Sequence, residues 1–130
     1  MGFTAFAAVS SGLVVKAATA PAGFALQNAT PTIISWAVPN DGAVHRFELS
    51  AVQHVTVAET GGGVNVNYTA PDGTAGTIFP FGAGFGTGVA APSGGAQGPV
   101  EVQAGSTVSV VQGSALTAGA AVIFAAILGQ

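Results

Sequence analysis

The sequence predicts an all-β fold, an antiparallel sandwich or barrel, on three observations. Glycine and proline punctuate the chain at short intervals, with 20 Gly and 7 Pro, as turns between short strands require. The segments between them are rich in Val, Ile, Thr and Phe, which suit a pleated, half-buried surface. Several segments alternate apolar and polar residues with period two, so that one face of the strand points inward and the other outward. A length of 130 residues fits a single domain with a core of its own.

In chain order, residues 1–30 stand apart. Phe3, Phe6, Val9 and Leu13 have a loosely helical spacing that Gly12, Pro21 and Gly23 interrupt, so the segment reads as an N-terminal arm or as edge strands, and residues 31–130 as the sandwich. A strand is expected over 33–38, then a turn at Pro39-Asn40-Asp41-Gly42, where Pro presets φ and the next three residues tolerate the left-handed region. Residues 44–58 read as one long or bent strand, with Phe47, Leu49, Ala51, Val55 and Val57 inward and Arg46, Glu48, Ser50, His54 and Thr56 outward. Thr60-Gly61-Gly62-Gly63 and Pro71-Asp72-Gly73 are turns flanking the cleanest alternation, Val64-Asn65-Val66-Asn67-Tyr68-Thr69. Further strands are expected over 76–81, 99–103 and 106–112, with a Gly/Ala/Ser-rich loop over 82–98 that holds a short strand at 88–91.

The last strand, residues 120–128, does not alternate: Ala120-Ala121-Val122-Ile123-Phe124-Ala125-Ala126-Ile127-Leu128 is apolar on both faces. Such a strand must be covered on both sides. The partner sheet meets one face. The other requires a helix, which the chain does not offer, or a neighbouring subunit. In water, Val122, Phe124 and Leu128 would each forgo about 1.5–3 kcal/mol of burial, so a cyclic homo-oligomer is expected.

Composition narrows the function. Of all residues 49% are hydrophobic and only 5% charged, with a net charge of −3. Lys16 and Arg46 alone could meet phosphate, so no nucleic-acid partner is expected. No stretch approaches the roughly 20 apolar residues of a membrane span, and no basic segment precedes the first apolar one, so neither a membrane partner nor a secretory signal is expected. There is no cysteine to form a disulfide, a thiolate site or a nucleophile. His45 and His54 lie an odd number of residues apart and face opposite sides of an unbroken strand, with only Asp41 and Glu48 as nearby carboxylates, so no metal site is expected. Arg46 and Glu48 read as a surface ion pair. The run Gly82-Ala83-Gly84-Phe85-Gly86-Thr87-Gly88 does not match a phosphate-binding fingerprint and is read as structural. Asn28-Ala29-Thr30 and Asn67-Tyr68-Thr69 match the glycosylation pattern, which carries little weight without a secretion signal. Trp36, Phe79, Phe81 and Phe85 read as core or interface. Neither an enzyme nor a cofactor is expected.

A set of short motifs carries a resemblance. These are Val38-Pro39-Asn40-Asp41-Gly42-Ala43-Val44-His45-Arg46-Phe47, His54-Val55-Thr56-Val57-Ala58-Glu59-Thr60-Gly61-Gly62, and Tyr68-Thr69-Ala70-Pro71-Asp72-Gly73. The closing pair is Val102-Gln103-Ala104-Gly105-Ser106-Thr107-Val108-Ser109-Val110 and Leu116-Thr117-Ala118-Gly119-Ala120-Ala121-Val122-Ile123. From Thr32 to Gln130 the chain resembles head-decoration proteins of tailed bacteriophages, whose jelly-roll domain is similar to the trimeric TNF/C1q fold. The resemblance implies a homotrimer on the outer surface of a virion, made in the host cytoplasm, that cements neighbouring major capsid protein subunits. It also puts the last strand near the trimer axis, making Val122, Phe124, Ala126 and Leu128 the trimer interface. Phe3, Phe6 and Val9 of the arm are given a capsid-docking role because they are apolar residues in a segment with no core of its own. The alternatives are a trimeric tail-fibre or receptor-binding head that holds host glycan with Trp36 and the 82–98 loop, and an adhesin-like surface domain.

Overall fold

The structure, a computed structural model, describes residues 12–81, 88–90 and 99–130. Ten strands and no helix are found among the described residues: β1 (Val14–Ala18), β2 (Phe24–Ala25), β3 (Thr32–Ala37), β4 (His45–Val57), β5 (Gly62–Thr69), β6 (Ala75–Phe81), β7 (Gly88–Ala90), β8 (Val100–Val102), β9 (Thr107–Ser114) and β10 (Ala120–Gly129). They form two antiparallel sheets. The larger runs β1-β10-β4-β7, with β2 also on β10 and β8 also on β4, and the smaller runs β3-β9-β5-β6. The fold is therefore an all-β sandwich, as the punctuation and alternation imply. Residues 14–25, within the expected arm, are edge strands on β10, with Val14 opposite Gly129 and Ala25 opposite Val122.

Alternation builds the core. Phe47, Leu49, Ala51 and Val55 of β4 and Ala121, Ile123, Ala125 and Ile127 of β10 are buried on one side of the larger sheet. They meet Val64 and Val66 of β5, Val108 and Val110 of β9 and Trp36 of β3 from the smaller one. Aromatic rings cross the interface at two places: Phe47 lies 5.7 Å from Tyr68, and Trp36 lies 6.2 Å edge-on from His45, both separations favourable for ring pairs.

Val57 corrects the inward set. It is 53% exposed, because the register between β4 and β10 slips at its end: Ala121 faces Val55 but Ala120 faces Val57. Thr56 is the extra residue of a bulge, and a bulge throws the residues beyond it out of phase.

The end of the sandwich beyond that bulge is closed by one side chain. Glu59 is buried in the β4–β5 turn, where Oε2 accepts from Gly61 N (2.8 Å), Thr117 N (2.7 Å) and Thr117 Oγ1 (2.9 Å). Its Oε1 accepts from Ala118 N at 2.9 Å and from Gly119 N. The β4–β5 and β9–β10 turns are thereby stitched together, closely enough that a methyl group at Gly61 would stand 2.1 Å from Ala115 O, and one at Gly119 2.4 Å from Ala58 O. Two buried glutamines continue this polar layer. Gln53 Oε1 accepts from Gly63 N at 2.8 Å. Gln112 accepts from Gln27 N (2.9 Å) and donates to Gln27 O (2.7 Å) and Ser114 O (2.8 Å), as a strand partner would. Among the described residues no buried side-chain polar atom lacks a partner.

The Thr117 N–H, with those of Ala118, Gly119 and Gly61 behind it, holds the Glu59 carboxyl well below the usual carboxylate range, against the desolvation that burial imposes. A depressed folded-state pKa means that the contribution is present above the ordinary value of 4.5 and is lost as pH falls below it. Glu59→Gln is expected to lower the thermal midpoint at neutral pH by about 5–10 °C, since an amide NH₂ cannot accept from two backbone donors. It should also flatten the loss of stability between about pH 5 and pH 2. Calorimetry across that range checks both; equal midpoints at neutral pH would remove Glu59 from this role.

Candidate functional site

The four residues expected at a subunit interface share one surface. Odd-numbered residues of β10 face the core, so Val122, Phe124, Ala126 and Leu128 point from the outer face of the larger sheet, where Phe124 is 39% exposed and the other three are half-buried. β4 lies alongside, with Val52 opposite Phe124, Ser50 opposite Ala126 and Glu48 opposite Leu128. The centre of this face is apolar or small, and its charge sits at the Arg46–Glu48 end.

The β1–β2 turn shapes this surface. Thr19 N donates to Ala125 O at 2.9 Å, and Ala125 N donates to Thr19 Oγ1 at 3.1 Å, which pins the turn to the middle of β10. Between turn and β4 lies an open depression of about 350 Å³, lined by Ala18, Thr19, Pro21, Val52, Phe124 and Ala126 among others, with no charged side chain among its lining residues. Gly23, which follows the same turn, packs directly on Val122 and Phe124. Its φ is +82°, and a methyl group there would stand 2.4 Å from Val122 Cγ1 and 2.9 Å from Phe124 Cε2. Such a surface offers shape and apolar contact.

The other candidates fall elsewhere. Phe3, Phe6, Val9 and Phe85 lie outside the described residues, as do the side chains of Phe79 and Phe81. Trp36 is buried at the sandwich edge, with Lys16 Nζ 5.7 Å from its ring centroid, a cation–π distance. His54 is exposed on the outer face and His45 is buried on the inner one, so the two imidazoles do face apart. Arg46 and Glu48 do not form the expected pair. The Arg46 guanidinium donates instead to Gln130 Oε1, because β10 brings Gln130 beside the start of β4 and Gln130 N bonds Arg46 O at 3.0 Å.

The ion pair found among the described residues is His45–Asp41. His45 Nε2 lies 2.8 Å from Asp41 Oδ1, and Nδ1 lies 2.8 Å from the main-chain oxygen of Gln130. The side-chain bond to Asp41, then the Gln130 oxygen, raises the imidazole pKa above its ordinary 6.5, while the same bond lowers that of Asp41. The phase of β4 already carried a sign of this burial: His45 is odd-numbered, like Phe47 and Leu49. Glu59 had a weaker one, a lone carboxylate followed by Thr60-Gly61-Gly62-Gly63. Among the described residues there is no group of three or more His, Cys, Asp or Glu that could hold a metal ion, and no helix long and apolar enough to cross a membrane.

Compared with protein-family models, with curated proteins and with solved structures, the chain matches none.

Gly23 and Gly42 separate close packing from backbone strain, since a methyl group at Gly42 (φ +75°) meets nothing within 4 Å. Gly42→Ala is expected to cost about 1 kcal/mol from the left-handed backbone alone. Gly23→Ala should cost about 2–4 kcal/mol, because the turn must also lift off Val122 and Phe124. Urea denaturation measures both; equal costs would show that the turn does not bear on the outer face.

Proposed function

We propose that this chain is a structural virion protein: a homotrimer with a TNF/C1q-like jelly-roll domain that decorates the outside of a phage head and cements contacts between major capsid subunits. The observation that carries the reading is the outer face of the larger sheet. Val122, Phe124, Ala126 and Leu128 lie side by side there with Val52, and no element among the described residues forms a second layer over them. A copy of the chain is the economical cover, since apolar area hidden between subunits stabilises at roughly 25 cal/mol per Å². The threefold number and the capsid surface come from the resemblance to phage decoration proteins.

The strand order supports the jelly-roll part. Taking β2 with β1, and β7 and β8 as one interrupted strand, the sheets read first-eighth-third-sixth and second-seventh-fourth-fifth, the order that two Greek keys wound together give. In this reading the chain performs no catalysis: it adds contact area across a lattice seam, and three linked docking arms multiply weak contacts. The glycan-binding alternative loses one of its two supports, because the Trp36 ring is packed between Lys16, Gly129 and His45 and offers no open face to a sugar.

Light scattering of the purified protein is expected to give three times the monomer mass, and Phe124→Glu is expected to give monomer. In purified particles the protein should occur in multiples of three on the shell. A Phe3→Asp/Phe6→Asp variant should remain trimeric yet bind particles at least about tenfold more weakly, the loss of some 1.4 kcal/mol of docking energy. A monomer at micromolar concentration would overturn the trimer, and copies confined to a tail tip would overturn head decoration.

A further inference from the structure

At the end of the sandwich opposite Glu59, three separate pieces of chain meet on one imidazole. His45 opens β4 and is buried. Its Nε2 faces Asp41 Oδ1 in the β3–β4 turn and its Nδ1 faces the Gln130 main-chain oxygen beyond β10, each at 2.8 Å. Both partners are acceptors only. A neutral imidazole carries one N–H and must turn a lone pair toward one of them, whereas an imidazolium donates to both. Hydrogen-bond geometry therefore selects the charged ring.

The surroundings tie this ring to the edge of the sheet. Its flat neighbour Trp36 lies against Gly129, with Trp36 Cη2 2.7 Å from where a Gly129 methyl would be, and Lys16 of β1 packs over the same indole. Val14 and Val15 of β1 pair with Gly129 and Leu128. The charged groups facing the site are Asp41 from the turn, Lys16 from β1, and Arg46 on β4, which grips the Gln130 side chain; Glu101 of β8 stands opposite Arg46. Asp41 favours the imidazolium, and Lys16 opposes it.

We propose that His45 is a proton-operated latch: as imidazolium it clasps the Asp41 turn and the residue-130 main chain and so holds β1 on the sheet, and as neutral imidazole it lets that corner open. Because the folded-state pKa is raised, the latch is fully closed below the ordinary histidine value and is released as pH rises through the higher folded-state value. At the acid end it fails again once Asp41 takes up a proton, below its ordinary 3.8. The consequence falls on β1, the edge of the larger sheet.

Nuclear magnetic resonance of the unaltered protein tests this. The His45 ring is expected to titrate with a midpoint above 6.5 and to show two protonated nitrogens on the acid side of it. Asp41→Asn should lower that midpoint. Across the titration, amide-exchange protection of Val15, Ala17 and Gln130, corrected for the intrinsic pH dependence of exchange, should fall about tenfold or more, while that of Gly61 and Gly119 at the far end stays constant. A titration midpoint at or below 6.5, or protection at β1 and Gln130 that does not change through the His45 titration, would overturn the latch.

Discussion

Two turns far apart in sequence have to arrive at the same place for this sandwich to close, and the Glu59 carboxylate makes them do so. Four backbone N–H groups and one hydroxyl point at its two oxygens. Without it the Gly61 N–H would be buried with nothing to bond, at a cost that exceeds the gain from an average hydrogen bond, and the half-exposed donors of residues 117–119 would turn to water and release the turn. Its effect extends along the sheets. The clasp fixes where β4 ends and β10 begins, and a one-residue slip of that pairing would carry Ile123 and Ile127 out of the core and Phe124 into it. The identity of the outer face thus follows from a residue that does not touch it.

Charge is scarce in this chain and is used internally. Two cationic and five acidic residues are available. Lys16 lies over Trp36, Arg46 grips Gln130, Asp41 meets His45, Asp72 Oδ1 accepts from Thr74 N at 2.9 Å in the β5–β6 turn, and Glu59 joins two turns. Most are at the ends of the sandwich, where backbone groups leave the ladder and need partners. The middle of the larger sheet's outer face is left to apolar and small residues, while that of the smaller sheet carries uncharged polar ones such as Asn67 and Thr77.

Period-two alternation made most of the fold legible. It located β3 to β6, β8 and β9 to within about two residues; β10 does not alternate and was legible instead as an unbroken apolar run, with Val122, Phe124, Ala126 and Leu128 assigned to an interface through the resemblance. What escaped depends on contacts distant in sequence. Gln53 and Gln112 are polar residues in core phase, tolerated because Gly63 and Gln27 present backbone groups to them. Val57 was lost to a bulge that only the partner strand reveals. Arg46 has Glu48 two residues away but bonds Gln130, eighty-four residues on, because strand pairing disregards sequence distance. In each case a local rule was overruled by a neighbour supplied by the topology.

The pairing of β1 with β10 has a kinetic consequence. Val14 lies opposite Gly129 and Ala18 opposite Ala126, so the larger sheet gains its edge only when the two ends of the sequence meet. Contacts this remote carry the full entropic cost of closing a long loop before they contribute anything, and chains dominated by them fold slowly. Until then β10 presents apolar side chains on two sides, the exposure that makes slow-folding β proteins prone to aggregate. Folding and self-association are therefore competing fates for the same strand, and the rate at which its first partner arrives decides between them.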